Sequence, residues 1–116
     1  MKAHTSQQNR AQTRAALATV LARLDNADAV DAFLEDLCTP GEIVAMADRW
    51  SVVPLLAQGM PYRQIHEVTG VSVTTVGRIA RCLEGGAGGY RAALQEHHRD
   101  QHHRDEHQHS EALPSG

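Results

Sequence analysis

One stretch of this 116-residue chain narrows its possible folds more than any other: Pro61-Tyr-Arg-Gln-Ile-His-Glu-Val-Thr-Gly-Val-Ser-Val-Thr-Thr-Val-Gly-Arg-Ile-Ala-Arg81. Pro61 to Val68 has the length of two helical turns, and proline is tolerated at a first helical position. Thr69-Gly70-Val71 interrupts that helix. Gly70 supplies the positive φ that a sharp turn between crossing helices needs. Ser72 has the chemistry of an N-cap, accepting from a backbone N–H near Thr74 or Thr75. The pattern predicts a helix-turn-helix over 61–83, with Ile65, Val71, Val76 and Ile79 facing inward. Ser72, Val73, Thr74, Gly77, Arg78 and Arg81 are left on the outer face of the second helix. Small polar groups, a methyl-bearing residue and two arginines suit the edges and phosphates of a DNA major groove. Arg63, on the first helix, suits a phosphate. The same spacing also fits two core helices joined by a glycine turn. Two residues depart from the usual motif. His66 stands where a small alanine commonly permits close crossing, and Thr69 replaces an apolar residue before the turn.

Charge placement matters more than the net value of −3. Residues 1–24 carry four basic and no acidic side chains, and residues 25–48 carry seven acidic and no basic ones. Residues 49–83 set Arg49, Arg63, Arg78 and Arg81 against Glu67 alone. Exposed charges separated by more than about 10 Å are largely screened at 0.1 M salt. The helix-turn-helix is therefore locally basic in an acidic chain, as a double-stranded DNA partner requires.

Core material is confined to the middle of the chain. Of 23 Leu, Ile, Val and Phe residues, 22 lie between Ala15 and Leu94. This predicts a flexible basic arm over 1–14, an all-α domain over 15–94 and a low-complexity tail over 95–116. Helices are expected over Ala15–Leu24, over Ala27–Leu37 and from Pro40 to about Ala57. Thr39-Pro40-Gly41-Glu42 has the form of a capping box. The third helix should bury Ile43, Met46 or Ala47, Trp50, Val53, and Leu55 or Leu56, with a kink or break at Pro54. Tyr90 to about His98 reads as a last short helix. With Phe33, Trp50, Tyr62 and Tyr90 as its aromatics, such a domain has a thin core, and a homodimer would complete it.

No apolar run approaches the roughly 20 residues that span a bilayer, so no membrane partner is expected. Cys38 and Cys82 form no CxxC pair and read as reduced packing cysteines of a cytoplasmic protein. Enzymatic motifs are lacking: no phosphate loop, no nucleophile elbow and no HExxH. The tail repeats HHRDQ and HHRDE, then HQH, and is expected as disorder or a frayed helix. His97, His98, His102, His103, His107 and His109 are candidate ligands for zinc or nickel. Their occurrence equally fits adventitious binding by a solvated tail, and the alternative function is a metal-responsive regulator. A protein-interaction module without DNA binding is a third class.

The order of Leu37-Cys-Thr-Pro-Gly-Glu42, Ala47-Asp-Arg-Trp50, Tyr62-Arg-Gln-Ile65, Thr69 to Arg78, Arg81-Cys-Leu83 and Gly88-Gly-Tyr90 resembles the YerC/YecD subgroup of the Trp repressor superfamily. The resemblance runs from about Ala29 to Leu94. It implies an all-α fold, an intertwined homodimer and a DNA-binding transcriptional regulator, commonly a repressor. Relatives that use a tryptophan corepressor hold it with two arginines beside the reading helix. On that resemblance Arg78 matches one arginine, Thr75 matches a threonine on the inner side, and Arg49 is the candidate for the second arginine. Arg49 is one residue out of the repressor spacing relative to Leu56, and Ile79 replaces a glycine. No cofactor is required on this reading, and the identity of a small-molecule effector stays open.

Overall fold

The computed structural model describes the backbone from Lys2 to Ala112, with side chains over residues 7–102 and at Arg104. Among the described residues the chain is all-α, with α1 Lys2–Arg23, α2 Ala27–Leu37, α3 Pro40–Ala57, α4 Tyr62–Thr69, α5 Val73–Gly85 and α6 Gly89–Ala112. None of these helices is long and apolar enough to cross a membrane. The chain divides into two compact units, residues 1–44 and 45–116, and the division falls within α3.

In the first unit the expected arm over 1–14 is helical, because α1 starts at Lys2. The segment contains no glycine or proline, and alanine, glutamine, arginine and lysine are good helix formers. The Thr13 hydroxyl donates to the Asn9 carbonyl one turn back (2.6 Å), so this threonine is accommodated within the helix. Asn26 caps α2, its side chain accepting from Ala29 N–H (2.8 Å). At the start of α3 the Glu42 carboxylate accepts from Thr39 N–H (2.8 Å), and the Thr39 hydroxyl accepts from Glu42 N–H (3.2 Å). This is the expected capping box. It holds the Glu42 carboxyl below the ordinary glutamate range, chiefly through the bond from Thr39 N–H.

No described residue of this unit is buried. Leu17, Val20, Leu37 and Val44 are 37%, 43%, 51% and 58% exposed. Both α1 and α2 therefore carry apolar stripes that nothing within one chain covers.

The second unit holds the core: Val52, Val53, Ile65, Val71, Val76, Ile79 and Leu94, with Trp50, Leu55, Leu56, Met60, Leu83 and Tyr90 packed against it. All four residues expected at the helix crossing, Ile65, Val71, Val76 and Ile79, are in this cluster. Val52 was not expected inside, yet Val52 and Val53 are both fully buried. Adjacent residues point about 100° apart on a helix, so the end of α3 is enclosed over more than one stripe. That helix also runs through Pro54 without a break. Pro54 removes one N–H only three residues before the helix ends, and its own carbonyl still accepts from Gln58 N–H (3.1 Å).

The closing helix is longer than expected, running to Ala112 rather than about His98. No glycine or proline interrupts residues 90–112. Arg99–Glu96 (3.2 Å, i,i+3) and Arg104–Asp100 (3.2 Å, i,i+4) are ion pairs that support an exposed helix. Arg91, near its start, donates from Nε to the Leu83 carbonyl and from Nη2 to the Glu84 carbonyl, both at 3.0 Å. It thereby satisfies carbonyls at the end of α5 that have no partner within that helix.

Candidate nucleic-acid interface

The turn between α4 and α5 is built from side chains as well as glycine. Gly70 adopts φ 79°, ψ −4°, and its N–H donates to the His66 carbonyl (2.8 Å). The Thr69 hydroxyl donates to the Ile65 carbonyl (2.8 Å) and accepts from Val71 N–H (3.1 Å). His66 Nδ1 is 2.8 Å from the Val71 carbonyl, which can only accept, so Nδ1 carries the proton. Both departures from the usual motif thus have a local purpose. Together Thr69 and His66 satisfy the N–H and C=O of Val71, whose side chain is in the core.

Ser72 caps α5, accepting from Thr75 N–H (3.1 Å) while its hydroxyl donates to Thr75 Oγ1 (2.9 Å). Its only proton is committed, so Ser72 can accept from a base but has none to give a phosphate. Val73, Thr74, Arg78 and Arg81 are exposed and Gly77 is half-exposed, while Val76, Ile79 and Ala80 of the same helix are buried. Arg63 is exposed in the first turn of α4. Among the described residues none of Arg49, Arg63, Arg78 and Arg81 pairs with a carboxylate. Arg49 in particular does not take the nearby Asp48 or Glu42 as partner.

Tyr62 was missed by the sequence reading. A Cβ built on Gly77 would lie 3.8 Å from Tyr62 Cε2 and 4.0 Å from an Arg81 Nη. The missing side chain at 77 leaves a seat shared by an aromatic ring and a guanidinium on the outer face of α5. Nothing in the sequence around Tyr62 signalled this, because the approach depends on the crossing of α4 over α5.

Beside α5 lies a cleft of about 560 Å3 lined by Arg49, Thr75 and Arg78 together with Asp48, Ile79 and Tyr90. The three candidate effector residues therefore meet on one wall system despite the shifted spacing of Arg49. Thr75 Oγ1 accepts from Ser72 and keeps its own proton for a ligand. Arg78 lines the cleft and also belongs to the exposed row, so one guanidinium is shared between two surfaces.

Of the tail histidines, His97 is half-buried, with its ring edge-on to Trp50 (centroids 6.1 Å apart, 82°). His98 and His102 are exposed. The side chains of His103, His107 and His109 lie outside the described residues.

Residues 12–98 match the model of the Trp repressor protein family. Over 62 residues the chain is 42% identical to the uncharacterised protein YerC of Bacillus subtilis, a match covering 53% of this chain and 60% of YerC. The crystal structure of a TrpR-like protein from Eubacterium eligens aligns with a TM-score of 0.68 at 32% identity, covering 73% of this chain and 88% of that one. A candidate Trp repressor from Staphylococcus aureus aligns with a TM-score of 0.71 at 28% identity, covering 79% and 92%.

Proposed function

The chain belongs to the Trp repressor family, and on that footing we propose that it is a sequence-specific DNA-binding transcriptional regulator, not an enzyme, acting as a repressor. The observation that carries this reading is the division of α5. Val76 and Ile79 lock it against α4, while Val73, Thr74, Arg78 and Arg81 form an exposed row with no acidic partner among the described residues. Such a helix enters the major groove by its N-terminal residues. Arg78 and Arg81 would contact base edges or phosphates, and Arg63 a phosphate.

The acting species is a homodimer. Its support is the uncovered apolar surface of α1 and α2, which a second copy would bury and which a single chain leaves in water. Two copies place two reading helices on DNA, so the preferred site is two-fold symmetric with half-sites about one helical turn apart.

The cleft at Arg49, Thr75 and Arg78 is the place for a small anionic effector, if one acts. Its occupation would compete for Arg78 with DNA.

Selection from a random duplex library tests the main reading. A symmetric site should emerge. Arg81→Ala should weaken binding to it by about 1–3 kcal/mol, the worth of one base contact. Arg63→Ala should weaken all sequences alike and flatten the salt dependence. Failure to enrich any sequence overturns specific recognition. A monomer mass with a concentration-independent melt overturns the dimer.

A further inference from the structure

The histidine repeats of α6 play no part in the DNA-binding reading, and the helix gives them a geometry that the sequence alone left open. We propose that His98 and His102 form a binding site for a late first-row divalent cation, Ni2+, Cu2+ or Zn2+, where α6 leaves the domain core. The helix is continuous from Gly89 to Ala112. Residues four apart on it lie on one face with Cβ atoms about 5–6 Å apart. Both imidazoles are exposed and can converge on one ion.

The surrounding charges select the donor type. The Glu96 and Asp100 carboxylates are engaged by Arg99 and Arg104 at 3.2 Å each. The imidazole nitrogens are then the principal donors on this stretch. Imidazole suits nickel, copper and zinc, whereas magnesium and calcium want oxygen. Among the described residues no group of three histidine, cysteine or acidic side chains surrounds a metal position. The site is therefore a two-nitrogen clasp with water in the remaining positions. That favours Ni2+ or Cu2+ over the closed tetrahedron of a structural zinc.

Position gives the site a built-in reporter. Tyr90 and Leu94 fasten α6 to the core, and His97 meets Trp50 edge-on at 6.1 Å. The His98 ring centroid is 5.9 Å from that of His97. An ion held by His98 is thus one imidazole away from Trp50, the only tryptophan of the chain. Ions held toward the end of the helix would be farther off by about 1.5 Å per residue.

The experiment titrates the full-length, untagged chain with Ni2+, reading heat and Trp50 emission together, and repeats it with Zn2+. Ni2+, with its open d shell, should quench Trp50 at saturation. Zn2+, with a closed shell, should displace Ni2+ and restore the emission. H98Q and H102Q should each weaken Ni2+ binding about tenfold or more, a loss at least as large as that from removing a group that merely orients a ligand. Both side chains are exposed, so metal-free ellipticity at 222 nm should match the wild type. The proposal is overturned if the H98Q/H102Q chain binds Ni2+ as tightly as the wild type. It is equally overturned if Ni2+ binds without changing Trp50 emission, or fails to bind at millimolar concentration.

Discussion

The Thr69 hydroxyl allows a sharp test of how the turn is held. In Thr69→Val the side chain keeps its shape and loses its two hydrogen bonds. Val71 N–H is the group left without a partner, on a residue that is 9% exposed. A buried donor with no acceptor costs about 1–3 kcal/mol. Thr69 itself is half-buried, so water reaches part of the site and the low end applies. The new methyl recovers about half of the roughly 0.8 kcal/mol that a fully buried carbon contributes. The expected net loss is about 1 kcal/mol. In urea, with a slope of about 1–3 kcal/mol per molar, the midpoint should fall by roughly 0.5 M with the slope unchanged. Protein concentration must be held fixed across variants, because an assembling protein melts later when concentrated. Thr69→Ser, which keeps the hydroxyl, should lie closer to the wild type. Equal or greater stability of Thr69→Val would refute the reasoning and show that an apolar residue serves this turn as well.

Other perturbations separate space from conformation. Gly86→Ala should destabilise by about 1–3 kcal/mol, because its Cβ would collide with the Cys82 carbonyl. Gly85→Ala, with nothing within 4 Å, should be neutral or stabilising in the same urea assay, and equal effects would reject the steric account. Gly77→Ala should raise stability by roughly 0.8–1 kcal/mol through helix propensity while lowering affinity for the selected DNA site, and unchanged affinity would show that DNA does not approach α5 there. Glu42 sets a pH signature: its folded pKa lies below the ordinary 4.5, so its contribution is present in full above that value and disappears as pH falls through the folded pKa. The stability difference between wild type and Glu42→Gln should therefore be constant at neutral pH and shrink on acidification, and a gap that ignores pH would exclude the charged cap.

Local chemistry made the helix-turn-helix legible. Gly70, the Ser72 cap and the Thr39–Glu42 box each act within four residues, and their side-chain types specify their roles. The inward set of Ile65, Val71, Val76 and Ile79 followed from helical period. What escaped the sequence needed tertiary structure. Val52 is buried because the end of α3 is enclosed more widely than one stripe. Tyr62 reaches Gly77 only because α4 crosses α5. Arg91 reads as a surface charge, yet it closes the carboxyl end of another helix. Polarity misled at both ends of the chain, since lack of a core suggested irregular backbone where good helix formers gave helix. His66 and Thr69 looked like departures from a motif until the Val71 backbone supplied their partners.

The Arg91 bonds to Leu83 and Glu84 also change what the linker between α5 and α6 has to do. Because a side chain bridges the two helices, the glycine-rich segment need only close the loop. Lengthening it adds little, since each doubling of loop length costs about 0.6 kcal/mol of closure entropy. The spacing between reading helix and tail helix is therefore free to drift by insertion, provided Arg91 keeps its place one turn into α6. Replacing Arg91 would make that same length matter, turning a permissive hinge into a tether.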